Sequence, residues 1–140
     1  MKLSTRTRYG LRALIDIALH QKERPVSLGE ISKRQGISKA YLEQIILVLR
    51  ASGIIRSVRG KKGGLVLAKS PEQISLLEVI KTLEGPISLV ECVEDPKVCP
   101  RKDECPTTLL WQRLKEVLEE ELRSLSLMDL LTGAKRSKME

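Results

Sequence analysis

The 140-residue chain has three cysteines, Cys92, Cys99 and Cys105, all within one short stretch. Two of them precede proline, at Pro100 and Pro106. Cysteine thiolates are the preferred protein ligands of iron–sulfur clusters and of zinc. The spacing is C-x6-C-x5-C. It is not the C-x2-C of a zinc ribbon or a thioredoxin-type site, where two ligands share one tight turn. Wide gaps suit a larger object around which the loop must wrap, so Cys92, Cys99 and Cys105 are expected to hold a bound group together. The plainer alternative is three inert or redox-reactive thiols. Lys97, Arg101 and Lys102 would stabilise the thiolates, and Glu91, Glu94, Asp95, Asp103 and Glu104 act in the opposite sense. An odd cysteine count argues against a secreted disulfide framework.

A second set of residues is basic. Residues 1–70 hold 15 Lys and Arg against 4 Asp and Glu, whereas residues 71–140 hold 10 against 14. The net charge of +7 therefore hides one polyanion-facing half and one half with another task. The sequence has no Phe, two Tyr and one Trp, so Leu, Ile and Val must build the core. The longest apolar run, Ile45 to Leu49, is far short of the roughly 20 residues needed to cross a bilayer. The N-terminus lacks the apolar stretch of a signal peptide, and a cytoplasmic protein with no membrane role is expected.

These residues need a frame. Leu11, Leu14, Ile15, Ala18 and Leu19 recur at helical spacing and predict a helix over residues 7–21. Ser27 and Glu30 form a capping-box pattern that opens a short helix to about Gln35. Gly36 turns the chain, and Ser38 caps a third helix that buries Leu42, Ile45, Ile46 and Leu49 and stops at Gly53. Residues 54–58 and 65–68 are β-rich and flank Arg59-Gly60-Lys61-Lys62-Gly63-Gly64, a basic hairpin tip. Ser75 and Glu78 start another helix, which ends at Gly85-Pro86. Leu110, Leu114, Val117, Leu118, Leu122 and Leu125 predict one last helix of about 35 Å over residues 107–130. Its length exceeds what so small a body can cover, which predicts a second copy as partner.

The expected fold is mainly α with a small β-hairpin wing: a winged helix-turn-helix over residues 1–85, a cysteine loop over 86–106, a dimerisation helix over 107–131 and a flexible tail over 132–140. In such a fold the third helix enters the major groove. At 100° per residue Ala40, Glu43 and Gln44 point away from the buried stripe. Gln44 can pair bidentately with adenine, and Glu43 can accept from a cytosine amino group. A carboxylate facing a polyanion makes sense as a discriminator. Ser38, Lys39 and Tyr41 flank that surface and suit phosphates. Arg59, Gly60, Lys61 and Lys62 suit close approach to the backbone or a narrow minor groove.

Three segments also carry a resemblance: Ser38-Lys39-Ala40-Tyr41-Leu42-Glu43-Gln44, Ser57-Val58-Arg59-Gly60-Lys61-Lys62-Gly63-Gly64, and Ile74-Ser75-Leu76-Leu77-Glu78-Val79-Ile80. With Arg8-Tyr9-Gly10-Leu11-Arg12 near the start, they closely resemble the Rrf-two (IscR-type) family of bacterial transcription regulators, over nearly the whole chain. The resemblance implies a homodimer through the last helix, a palindromic double-stranded DNA operator, and base-reading and wing positions at Ala40, Glu43, Gln44 and Arg59. Ala40 departs from the Ser common there. Cluster-sensing members carry three cysteines in this loop, which implies a [2Fe–2S] or [4Fe–4S] cluster on Cys92, Cys99 and Cys105. Some relatives add a His three residues after the third cysteine, where this chain has Thr108. Others recruit an acidic residue near the position of Arg8. Glu104, Asp103 or an external ligand are open for the fourth place, and His20 suits a surface or capping role. Cluster-free members imply an alternative, a regulator signalling through its thiols or through a partner enzyme of cysteine synthesis. A third expectation is an RNA-binding or protein-interaction adaptor. No paired carboxylates and no Gly-rich loop running into a helix indicate an enzyme.

Overall fold

The computed structural model describes residues 2–89 and 105–139, the last six of these by backbone alone. Helix α1 spans Thr5–His20, α2 Leu28–Gln35 and α3 Lys39–Ala51. The hairpin follows as β1 (Ile55–Val58) and β2 (Gly64–Leu67), then a 3-10 turn at Pro71–Gln73 and α4 (Leu76–Glu84). Two further helices, α5 (Pro106–Ser124) and α6 (Leu127–Met139), complete the described chain.

Serines start these helices as expected. Ser27, Ser38 and Ser75 each accept a hydrogen bond from a backbone NH two or three residues on, satisfying one of the orphan donors of a first turn. Helix α1 has no acid in its own first turn. Glu84, at the end of α4, supplies one: its carboxylate accepts from the Ser4 NH at 3.0 Å, from the Ser4 hydroxyl at 2.7 Å and from the buried Thr7 hydroxyl. These bonds, with Thr7 foremost, hold the Glu84 carboxyl below its ordinary range.

The core is aliphatic. Ala13, Leu14 and Ile17 of α1 pack with Ile31, Leu42, Ile45, Leu49, Ile54 and Leu127. The buried face of α1 is turned from the expected stripe, since Leu19 is 48% exposed while Asp16 is buried. Neighbours on several sides, α2, α3, α4 and β2, cover Ala13 and Ile17 where periodicity favoured Leu19. Gly10 sits where α1 meets α4, and a Cβ there would lie 2.4 Å from Leu83 Cδ1. A smaller cluster, Leu77, Ile80 and Ile87, receives Leu118 and Leu122 of α5.

The largest departure from expectation lies at the C-terminus. The single helix expected over 107–131 is two helices, broken at Leu125, whose backbone is extended (φ −101°, ψ 142°). The Leu76 NH donates to the Leu125 carbonyl at 3.0 Å, and the Leu127 NH donates to the Ile74 carbonyl at 2.9 Å. This bridge takes up backbone groups that a continuous helix would have used internally. Ser126 NH then donates to Asp129 Oδ2 at 2.8 Å, a capping arrangement that begins α6. Leu127 is fully buried, whereas an unbroken helix would have carried it past the core. Helix α6 continues by backbone to Met139, across residues expected to form a tail.

Candidate nucleic-acid interface

The turn before α3 is set locally. Gly36 adopts the left-handed conformation (φ 66°), which only glycine accepts without strain. Ser32 Oγ donates to the Ile37 carbonyl at 2.5 Å. Ser38 then caps α3, accepting from the Tyr41 NH at 3.3 Å. Leu42, Ile45, Ile46 and Leu49 are buried, and Lys39, Ala40, Glu43, Gln44 and Leu47 are exposed. The expected assignment of faces on this helix therefore holds.

A polar layer orients α3 on α1 and α2. The Tyr41 ring stands edge-on to Tyr9, with centroids 6.1 Å apart at 83°. Arg12 lies 5.2 Å over the Tyr9 ring, an attractive cation–π placement. Its Nε donates to Gln35 Oε1 at 3.1 Å, and a second nitrogen donates to the Gln35 carbonyl. Tyr41, expected at a phosphate, thus also has a packing role. Through Gln35 the layer reaches the buried Asp16, which accepts from Arg34 at 3.0 and 2.7 Å and from Gln35 Nε2 at 3.0 Å. Burial pushes the Asp16 carboxyl up. The hydrogen bonds from Arg34 and Gln35, with the Arg34 charge, outweigh it and hold the group below its ordinary value. The lone His20 places Nδ1 2.8 Å from the Asp16 carbonyl, a local helix-end contact as expected.

The wing is a true antiparallel hairpin, with Ile55 opposite Leu67 and Val58 opposite Gly64. Val26 adds a bridge to Leu65 through bonds of 2.9 and 2.8 Å. The tip closes with Gly63 NH donating to the Gly60 carbonyl at 3.0 Å. A Cβ on Gly63 would lie 2.1 Å from the Val58 carbonyl oxygen, so the tip requires glycine. Arg59, Lys61 and Lys62 are exposed. At the wing's root Arg50 Nη1 donates to Ser57 Oγ at 3.0 Å. A groove of about 750 Å³ runs between α3 and the hairpin, lined by Ala40, Glu43, Gln44, Leu47, Arg50 and Ser57 among others. Leu47, Arg50 and Ser57 were not among the expected site residues. Leu47 follows Glu43 by one helical turn, and that spacing was the available signal.

Of the cysteines, Cys105 is described; Cys92 and Cys99 lie outside the described residues. Cys105 stands at the N-cap of α5 and is partly exposed. The Thr107 hydroxyl is 2.9 Å from its sulfur. Hydrogen bonding from Thr107, its hydroxyl foremost, holds the thiol below its ordinary value. A thiol with more thiolate character is the right donor chemistry for a metal or a cluster. Thr108, three residues after Cys105, is buried at the start of α5.

A helix-turn-helix with an exposed polar recognition face and a basic wing defines a DNA-binding regulator. The sequence profile of the Rrf2 family, described as an iron-dependent transcriptional regulator, matches residues 3–133. Protein rrf2 of Nitratidesulfovibrio vulgaris is 44% identical over 134 residues, covering 96% of this chain and 89% of that protein. The transcriptional regulator CymR of Bacillus subtilis is 42% identical over 130 residues, covering 93% and 89%. The solved structure of T. potens IscR superposes with a TM-score of 0.81 at 38% identity, covering 100% of this chain and 93% of that one. The chain belongs to the Rrf2 family of transcriptional regulators and is not an enzyme. No described helix is long and apolar enough to cross a membrane.

Proposed function

We propose that the chain is a cytoplasmic, homodimeric regulator that binds a palindromic double-stranded DNA operator through α3 and the wing, under the control of an iron–sulfur cluster. Ser38, Lys39, Ala40, Tyr41, Glu43 and Gln44 present the recognition surface, and Arg59, Gly60, Lys61 and Lys62 engage the backbone beside it. The observation that carries the DNA reading is one continuous groove with Glu43 and Gln44 on its helical wall and the hairpin as the other.

The dimer is supported by α5. Leu118 and Leu122 pack inward on α4, while Leu109, Leu110, Leu114 and Val117 remain exposed on the described chain. Such an apolar stripe marks an interaction face. Two heads joined there would meet half-sites about one turn of DNA apart.

Cys92, Cys99 and Cys105 would hold the cluster, [2Fe–2S] or [4Fe–4S]. Its support is the donor chemistry at Cys105, a partly exposed thiol pulled toward thiolate. A bound cluster supplies covalent links among the thiolates. Cys105 directly precedes α5, so whatever fixes its position bears on the dimer helix and on the spacing of the heads. The same partly exposed thiol, with 42% identity to CymR, favours a second reading, in which the thiols or a cysteine-metabolism partner carry the signal without a cluster.

Anaerobic purification with an absorption spectrum and iron and sulfide analysis separates the two. The cluster reading expects stoichiometric iron and sulfide, lost in Cys92→Ala, Cys99→Ala or Cys105→Ala together with a change in operator affinity. Protein without iron or sulfide, whose cysteine variants bind DNA as the parent does, refutes cluster control.

A further inference from the structure

We infer that Leu47 is a specificity-determining residue of α3, reading a thymine through its C5 methyl group; this rests on the proposed DNA-binding function. Leu47 is 57% exposed, more than any other large apolar residue of the three helices that form the head. A single exposed leucine is ordinary on a protein surface. This one is distinguished by its place. It stands one turn after Glu43 on the exposed face of α3, and it lines the groove together with Gln44, Arg50 and Ser57. Leu47 has no place in the core. Leu42, Ile45, Ile46 and Leu49 close the core from the opposite side, and Leu47 belongs to neither apolar cluster.

Apart from Leu47 and the small Ala40, the exposed residues of the recognition face are polar. Glu43 and Gln44 can address the donor and acceptor edges of cytosine and adenine, and Arg50 is committed in part to Ser57 at 3.0 Å. In the major groove the one apolar feature a base presents is the thymine methyl. A leucine inserted beside it excludes water from both surfaces, whereas against the polar edges of guanine or cytosine it would strip their hydration without offering a partner. Leu47 therefore both favours thymine and disfavours a G·C pair at its position.

The methyl can be removed without altering base pairing, by replacing thymine with deoxyuridine. The full chain is used to select duplexes from a random library, and each thymine of the selected duplex is then replaced in turn. One position per half-site is expected to lose about four-fold in affinity on losing its methyl, the worth of one buried carbon. With Leu47→Ala that position should bind thymine and deoxyuridine alike. Because Leu47 lies outside the core, the variant should keep the parent's thermal midpoint. If the thymine preference persists undiminished in Leu47→Ala, or no thymine is sensitive to its methyl, the inference is overturned while DNA reading stands. If the parent selects no sequence at all, the DNA-binding proposal itself fails.

Discussion

Arg34 on α2 grips the buried carboxylate of Asp16 on α1 with two hydrogen bonds, Nε to Oδ2 at 3.0 Å and Nη2 to Oδ1 at 2.7 Å. Gln35 donates to the same carboxylate and accepts from Arg12, so the pair is linked to the Tyr9–Tyr41 contact and to the seating of α3. Removing the cation leaves a buried charge without its partner, and that is more damaging than removing both. Arg34→Ala should lower stability by about 2–3 kcal/mol, below the fully buried case because Arg34 is itself partly open to water. Asp16→Asn should be milder. The check is the urea midpoint at constant slope.

Acid should destabilise the fold through the same carboxylate and through Glu84. Both hold their protons more weakly in the folded chain than their ordinary values of 3.8 and 4.5. The unfolded chain then binds more protons in acid, so their stabilisation is complete above about pH 5 and is lost as the pH falls below the ordinary carboxylate range. Glu84→Gln should flatten part of that acid limb and cost about 1 kcal/mol at neutral pH. Thermal midpoints across pH 3 to 7 would show it; an unchanged limb would rule out Glu84 as a contributor.

The wing should fail when its glycines are filled. A Cβ on Gly64 would come 2.6 Å from the Val26 carbonyl oxygen, a backbone atom that cannot swing aside. Gly64→Ala should open the Val26–Leu65 bridge and weaken DNA binding even at temperatures where the helices remain folded. Circular dichroism and a gel shift on the same preparation separate these effects.

Cations on the wing tip should act without regard to base sequence. Lys61→Ala and Lys62→Ala are each expected to weaken binding to specific and unrelated duplexes alike and to reduce the salt slope by about one. Glu43→Ala should do the reverse, raising affinity for unrelated DNA and narrowing the gap to the selected site. Titrations at several salt concentrations test both, and a change confined to one duplex on loss of Lys61 would contradict the phosphate role.

Leu127 provides a test of the broken C-terminal helix. Fully buried in the main core, it should cost about 2–4 kcal/mol on truncation to alanine. Leu110→Ala, on the exposed face of α5, should leave monomer stability nearly unchanged and instead weaken self-association, as measured by sedimentation.

Much of this protein follows from the order of its residues. Ser27, Ser38 and Ser75 mark three helix starts because an unpaired first turn needs a nearby side-chain oxygen, and that need is local. Gly36, Gly60 and Gly63 mark turns because their backbones reach conformations, or approaches, that a Cβ forbids. The opposed faces of α3 follow from helical geometry alone. Other features required the assembled molecule. Leu118 and Leu122 share a stripe with Leu110, Leu114 and Val117, and periodicity does not say that α4 covers the first two and leaves the others open. The break at Leu125 lies inside a persuasive apolar repeat. It arises because Ile74 and Leu76, some fifty residues earlier in the chain, offer Leu125 and Leu127 hydrogen bonds that compete with the helix. Ser126 and Asp129 carried the local signal for a new start, but only the core's demand for Leu127 made that signal decisive. The burial of Asp16 was likewise hidden, since a carboxylate enters a core only where distant residues, here Arg34 and Gln35, can meet it.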